Sequence, residues 1–221
     1  MDSTLFDRSE ILRYMGVKGD PDEATLAAVE KCIAVFEGFD EPRVIYRYED
    51  IVPSDSGVTL ASGLHLAGED IRSHLADCTF CGILAATVGA QADNFIRRAQ
   101  VTDMVLALAA DACATCAVES ACDRAERQMV SENSGYHTTF RYSPGYGDLP
   151  IETQPRLLAA VDAPRRIGLT CTSSCLLTPT KSVTAVIGFS KTPVPSHRRG
   201  CAVCSLRETC SFRKKGESCG S

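Results

Sequence analysis

The sequence contains no tryptophan, and aromatic residues make up only 6% of its 221 residues. The core of any folded domain must therefore be built mainly from Ala, Val, Leu and Ile. Hydrophobic residues are 44% and charged residues 23%, an ordinary globular balance that excludes disorder as the main state. The length allows one large domain, or one domain with a small appendage. The net charge of −5 provides no basic field, which argues against a nucleic-acid-binding protein.

Several motifs of known chemistry are missing. The chain has no glycine-rich dinucleotide or phosphate loop, no HExxH, no GxSxG and no EF-hand sequence. Its four histidines have no spacing typical of a metal site, and we expect them to be ordinary surface or edge residues: His65, His74, His137 and His197.

Targeting signals are also missing. The first ten residues, MDSTLFDRSE, carry acidic groups and no apolar core, so they do not resemble a signal peptide. The longest apolar run, residues 104–118, is interrupted by Asp111 and is too short and too polar to span a bilayer. We therefore expect a cytoplasmic protein, in which thiols stay reduced.

Cysteine, in contrast, is abundant, with 12 residues. In a reducing compartment this number suggests metal ligation or redox chemistry, not a disulfide framework. Four thiols form a compact set near the C-terminus: Cys201, Cys204, Cys210 and Cys219. They suit an iron–sulfur cluster or a tetrahedral zinc, and exposed thiols that face a partner without metal are the third alternative.

The other cysteines have simpler explanations. Cys78 and Cys81 begin an apolar strand, where residues three apart point to opposite faces and chelate poorly, so we expect them in the core. Small buried side chains explain Cys113, Cys116 and Cys122. Cys171 and Cys175 flank a Thr-Ser-Ser turn and are expected to fill space.

Hydrophobic periodicity and capping signals predict the secondary structure. Helices are predicted at residues 8–15, 20–38 with Asp20 as the cap, 71–76, 90–98, 102–130 with Thr102 as the cap, and 151–160. Strands are predicted at residues 43–52, 58–66 (one or two strands), 79–88, 136–142, 167–173 and 183–189. Without a regular βαβ rhythm, this order predicts an α+β fold with a mainly antiparallel twisted sheet and flanking helices.

The strongest local signal is the long helix rich in Ala and Cys at residues 102–130, which contains no Gly or Pro. Its small side chains allow another backbone or a flat ligand to come close. Asp111, Thr115 and Glu119 are four residues apart and form a polar stripe along it. After Phe189 the composition changes, and we divide the chain into a domain at residues 1–190 and a Cys-rich tail at residues 191–221.

Residues 141–148, RYSPGYGD, combine groups that suit ligand binding. Two glycines around Tyr146 allow positive φ and close approach of a ligand to the main chain. The guanidinium of Arg141 suits a carboxylate or phosphate, and Tyr146 can stack on a ring or face a cation. The alternative is a tight surface turn with a solvated arginine.

This loop, together with IGLTCTSSCLLTPTKSVTAVIGFS at residues 167–190, resembles the S-adenosylmethionine-binding activation domain of cobalamin-dependent methionine synthase. It is most similar to the stand-alone versions of that domain, as are ILAATVGAQAD at residues 83–93 and TDMVLALAADACATCAVESACD at residues 102–123. The resemblance covers about residues 35–190 and identifies residues 1–190 as an activation-like domain.

The resemblance implies that the chain binds S-adenosylmethionine and supports the reductive methylation of inactive cob(II)alamin to methylcobalamin. The folate, homocysteine and cobalamin modules of full-length members do not fit in 221 residues. We therefore expect reactivation in trans, with a corrinoid-binding protein or a methionine synthase lacking this domain as the partner, and a separate electron donor.

The resemblance also implies roles for individual residues. Arg141 matches the arginine that holds the ligand carboxylate, and the loop that wraps the ligand contains Ser143, Gly145, Tyr146 and Gly147. Glu119 and Tyr146 are the expected catalytic residues, Glu119 as an acidic group of the active site, with a solvated helix carboxylate as the alternative for Glu119. Thr178 and Lys181 are expected beside the ligand, or in a plain connecting loop. No residue matches the family's aspartate for the ligand amino group or its tyrosine after the last strand.

A different class of function fits the tail better. An iron–sulfur or zinc protein that docks on a corrinoid methyltransferase as an electron donor, or as a non-catalytic binding module, would need no carboxylate clamp. The loop favours S-adenosylmethionine binding and the four thiols favour the metal protein, and the two are compatible.

Overall fold

The computed structural model describes residues 5–54 and 56–194. Its α-helices are α1 (Arg8–Tyr14), α2 (Glu23–Phe36), α3 (Glu69–His74), α4 (Ala90–Thr102), α5 (Met104–Glu132), α6 (Gln154–Ala160) and α7 (Ala163–Ile167). A 3-10 turn at Ile151–Thr153 precedes α6. The strands are β1 (Arg43–Ser54), β2 (Gly57–Leu60), β3 (His65–Ala67), β4 (Phe80–Thr87), β5 (His137–Thr138), β6 (Thr170–Cys171), β7 (Leu177–Thr178) and β8 (Ser182–Ser190).

Six strands form an antiparallel sheet in the order β3-β2-β1-β4-β8-β5. Ile51 pairs with Leu60 and Ser54 with Gly57 between β1 and β2, and His137 pairs with Ser190 at the β5 edge. The two central strands β4 and β8 are buried along most of their length, as their continuous apolar sequences predict. The predicted α+β class with a mainly antiparallel sheet is confirmed.

The chain forms two compact units, whose described parts are residues 5–45, 85–128 and 162–183 in the first, and residues 46–84, 129–161 and 184–194 in the second. In the first unit, the thiol of Cys32 on α2 reaches the backbone oxygen of Leu106 on α5 at 3.6 Å. Small side chains on α5, among them Ala109, Ala110 and Cys113, are fully buried. The Ala- and Cys-rich sequence thus lets helices approach closely.

The second unit has an aromatic core. The rings of Phe80 and Phe189 stack at 4.7 Å, and Tyr48 packs edge-on to both of them. Hydroxyl groups of Tyr46 and Tyr48 each donate to the Glu132 carboxylate at 2.7 Å. The pKa of Tyr48 is raised above its usual range, mainly by burial and secondly by its hydrogen bond to Glu132.

Two predicted helix caps are wrong. Asp22, not Asp20, accepts the backbone N–H of Thr25 at 2.8 Å, because α2 begins only at Glu23. Thr102 ends α4, which runs four residues beyond its predicted end, and its hydroxyl donates to the backbone oxygen of Arg98. Asp103 caps α5 instead, accepting from two backbone N–H groups at 3.0 and 3.1 Å.

The long helix α5 has 29 residues. In the described part of the chain, it is the one helix whose length and composition would allow a membrane crossing. The sequence analysis judged residues 104–118 too short and too polar to span a bilayer, and that judgement is wrong for the complete helix. Of its most apolar 18-residue window, 67% is buried inside the protein, as in a core helix.

Two predicted strands are shorter than expected. Residues 163–167 are helical, since Asp162 and Pro164 start α7, and only Thr170–Cys171 of the predicted strand at 167–173 pairs with β7. In the predicted strand at 136–142, only His137–Thr138 joins β8, and Tyr142 adds an isolated bridge to Val186. The predicted Cys-rich tail lies outside the described residues apart from residues 191–194, so the boundary at residue 190 stays a prediction.

Candidate functional site

The loop at residues 141–148 leaves the sheet of the second unit at Tyr142, whose backbone exchanges two hydrogen bonds with Val186 at 2.8 and 2.9 Å. It then closes on itself: Tyr146 N–H donates to the Ser143 oxygen, Gly145 N–H to the Leu149 oxygen, and Leu149 N–H to the Tyr146 oxygen, at 2.9–3.1 Å. Leu149 is 1% exposed and anchors the loop in the core.

Both glycines of the loop have positive φ, +85° at Gly145 and +54° at Gly147, as the sequence predicts. At Gly147 the protein itself needs a glycine, since a Cβ there would collide with the Tyr142 hydroxyl and the Asp70 carboxylate. The protein's own side chains and hydrogen bonds therefore define the conformation of the loop.

The carboxylate of Asp148 ties the loop to the start of α3. The backbone N–H of Glu69 donates to its Oδ2 at 2.7 Å, and that of Asp70 to its Oδ1 at 3.1 Å. Gly68 occupies the cap position of α3 and has no side chain to serve these amides. The sequence analysis did not assign this capping role to Asp148. The one sequence signal for it is Gly68, a glycine at the position where a capping side chain is usual.

Aromatic side chains pack against the loop. The Tyr146 ring lies edge-on to Tyr142 at 5.1 Å and to Phe140 at 6.3 Å. The His74 ring lies edge-on to Phe140 at 4.4 Å and tilted against Tyr142 at 4.8 Å, and its Nε2 donates to the Phe140 oxygen at 3.0 Å. His74 is 5% exposed, so the expectation of a surface or edge residue is wrong for it, because α3 turns it inward.

The predicted ligand residues of the loop therefore share one small region of the second unit. Arg141 and Ser143 are half-buried, Tyr146 and Gly147 are half-buried, and Gly145 is exposed. Because Arg141 is half-buried, its guanidinium is suited to hold an anionic group more strongly than a fully exposed side chain would.

The other predicted residues belong to the first unit. Lys181 forms an ion pair with Asp111 (Nζ–Oδ2 2.8 Å) and donates to the Thr115 hydroxyl at 3.0 Å, so it contacts two residues of the predicted polar stripe. Its side chain is 18% exposed. Thr178 lies on β7 and is exposed.

A cavity of about 450 Å³ in the first unit is lined by both Thr178 and Lys181. Asp93, Arg97 and Asp111 supply its other charged side chains. One Asp93 oxygen accepts the backbone N–H of Thr180 at 2.8 Å, which fixes the segment after β7 against α4. The ammonium of Lys181 already has an acidic partner, so a ligand anion would have to compete with Asp111.

Glu119 lies on α5, where it is half-buried. Burial raises the pKa of the nearby Tyr14 hydroxyl, and the Glu119 carboxylate adds to that rise. Glu119, Thr178 and Lys181 thus belong to one compact unit and the loop residues to the other, and each group is positioned by its own elements.

The described cysteines behave as small core residues. None of the eight forms a disulfide bond, and five of them are buried: Cys32, Cys81, Cys113, Cys116 and Cys122. Burial raises the pKa of Cys81 and of Cys116, and the hydrogen bond that the Cys113 thiol donates to Cys32, together with burial, raises the pKa of Cys113. Such thiols are poor nucleophiles. Cys78 is only half-buried, so the core position predicted for it is partly wrong.

Among the described residues, no group of three or more His, Cys, Asp or Glu side chains could hold a metal ion. The predicted metal ligands Cys201, Cys204, Cys210 and Cys219 lie outside the described residues. The metal site therefore stays a prediction from the sequence.

Comparison of the sequence with protein-family models and with curated proteins gives no match. Among solved structures, the chain is similar to the crystal structure of the MetH reactivation domain bound to AdoHcy, with a TM-score of 0.60 and 13% sequence identity. The similarity covers 97% of this chain and 82% of that chain. At this identity it is a likeness of fold, and it confirms the resemblance found in the sequence: the chain has the fold of the MetH reactivation domain.

Proposed function

We propose that the chain binds S-adenosylmethionine (AdoMet) and supports the reductive methylation of a corrinoid carried by a separate protein. The observation that carries this proposal is the fold, which is similar to that of a reactivation domain bound to AdoHcy. The closed loop at residues 141–148 supports it, since the residues expected to wrap the ligand are held in one region. The cytoplasmic location is part of the proposal and rests on the sequence alone.

In the proposed complex, Arg141 pairs with the carboxylate of the amino-acid end of AdoMet. The loop from Ser143 to Gly147 offers backbone groups and the Tyr146 ring to the same ligand. The resemblance also gives Glu119 the role of an acidic group and assigns Thr178 and Lys181 to the ligand, and these three residues belong to the first unit. These assignments come from the resemblance, residue by residue.

The proposed reaction needs one electron from an external donor, which reduces Co(II) to Co(I). The cobalt then attacks the methyl carbon, the carbon–sulfur bond breaks, and its electron pair stays on sulfur to give AdoHcy. The methyl group is already activated by the positive sulfonium. The protein therefore has to orient the methyl group toward cobalt and exclude water, which is a contribution of positioning.

Isothermal titration calorimetry with AdoMet and AdoHcy tests the binding step. Arg141→Ala should weaken binding by about 1.5–3 kcal/mol, the usual value for a hydrogen-bonded charged group. Arg165→Ala is the matched control, because this exposed arginine pairs with Asp162 at the surface of α7. Absence of binding at millimolar ligand, or equal effects of the two substitutions, would contradict the proposal.

The methyl transfer is tested by mixing the chain with AdoMet, a strong reductant and a corrinoid protein, and following methylcobalt by its absorption. Formation that depends on the chain and is lost in Arg141→Ala supports the reaction. Formation at the same rate without the chain contradicts it.

A further inference from the structure

Asp148 is the last residue of the loop at residues 141–148, and the sequence resemblance gives it no role. We propose that Asp148 is a positioning residue, which holds the Gly145–Tyr146–Gly147 backbone in the arrangement that recognises the amino-acid end of the ligand. This inference rests on the proposed function.

The first argument is the absence of a local cap on α3. The residue before the helix, Gly68, has φ +131°, and a Cβ at this position would collide with the Asp148 carboxylate. The cap of α3 therefore comes from a residue 79 positions away in the sequence. A carboxylate that accepts two N–H groups at the positive end of a helix is a charge-assisted contact, stronger than a neutral hydrogen bond.

The second argument is that Asp70, which donates its backbone N–H to Asp148, also lies next to the loop at Gly147. Asp70 donates its backbone N–H to Asp148, and its carboxylate lies where a side chain of residue 147 would be. The Tyr142 hydroxyl and the Asp70 carboxylate therefore occupy the space beside Gly147, while the carboxylate of the next residue accepts from the first turn of α3. The three hydrogen bonds within the loop set its shape, whereas Asp148 sets its position on α3.

An asparagine at position 148 cannot reproduce this arrangement. Its amide oxygen can accept one N–H, but its NH₂ group would face the other backbone donor. The loop would keep its internal hydrogen bonds and its Leu149 anchor, so the fold should persist while the loop loses its fixed position.

The experiment compares two ligands, AdoMet and 5′-methylthioadenosine, which lacks the amino-acid part. Asp148→Asn should weaken AdoMet binding about tenfold, the loss expected for one charge-assisted hydrogen bond, and leave 5′-methylthioadenosine binding unchanged. Hydrogen exchange of the backbone amides at residues 143–149 should accelerate in the ligand-free variant. Asp22→Asn, which alters an aspartate that caps α2, is the matched control and should change neither affinity.

Equal losses for both ligands would show a merely structural role and overturn the proposal, as would unchanged AdoMet affinity or unchanged exchange in Asp148→Asn. A wild-type chain that binds no AdoMet would overturn the proposed function itself. The two failures are therefore distinguishable by the wild-type titration. A thermal unfolding curve of Asp148→Asn, compared with Asp22→Asn, confirms that the folded state is being measured.

Discussion

At the scale of single residues, Gly147 is the most constrained position of the candidate loop. Its φ of +54° costs an L-residue free energy, and its missing Cβ leaves room for the Tyr142 hydroxyl and the Asp70 carboxylate. We expect Gly147→Ala to lower the free energy of unfolding by about 2–4 kcal/mol, the sum of backbone strain and overpacking. Thermal unfolding measures this loss.

A control separates the two causes. Gly63 has φ +81°, and no atom lies within 4 Å of the place that a Cβ would take there, so Gly63→Ala should cost only the backbone strain, about 1–2 kcal/mol. If Gly147→Ala and Gly63→Ala lower the free energy of unfolding by the same amount, the close approach of side chains at Gly147 does not constrain the loop, and the packing argument fails.

At the scale of elements, the start of α5 depends on one carboxylate. Asp103 accepts the N–H groups of Val105 and Leu106 between two consecutive helices. Asp103→Ala should lower the free energy of unfolding by about 1 kcal/mol, the usual cost of losing such a cap. Thr102→Ala is the comparison, because the Thr102 hydroxyl donates to the backbone of α4 and does not cap α5; a loss as large as that of Asp103→Ala would contradict the assignment.

The elements that the sequence predicts well are those with a dominant local signal. The Ala- and Cys-rich helix differs from its predicted bounds by two residues at each end, and β4 and β8 follow from their apolar runs. The predicted strand at 167–173 is shorter because Ile167 ends α7, Gly168 follows with φ +68°, and a turn closed by the Cys175 N–H on the Thr172 oxygen begins after Cys171. Tertiary pairing, not periodicity, decides how much of residues 136–142 joins the sheet.

At the scale of the whole molecule, the candidate site depends on contacts between residues that are far apart in the sequence, and such contacts cannot be predicted from local patterns. The Gly-Tyr-Gly loop is visible in the sequence because its turn residues are adjacent. The contact of Asp148 with Glu69 spans 79 positions and that of Lys181 with Thr115 spans 66, so neither has a local signature. Such contacts follow only from the order of the strands and the packing of helices.

The described residues also bear on where a metal would bind. None of the eight described cysteines is in a disulfide bond, and no described group of three His, Cys, Asp or Glu side chains is placed for a metal. We therefore predict that a metal that copurifies with the chain takes its ligands from Cys201, Cys204, Cys210 and Cys219, with about one zinc ion or one iron–sulfur cluster per chain. Elemental analysis after purification without oxygen measures the content, and visible absorption distinguishes iron–sulfur from colourless zinc.

The double variant Cys201→Ser/Cys204→Ser should lose the metal, because two of four thiolates cannot complete a tetrahedral site. Cys171→Ser/Cys175→Ser removes two half-buried thiols of the described region and should keep it. If the wild-type chain contains no metal, the four thiols of the tail do not bind one. If the Cys201→Ser/Cys204→Ser variant retains its metal, the ligands are other residues. AdoMet binding by the metal-free variant would show that ligand binding does not require the metal.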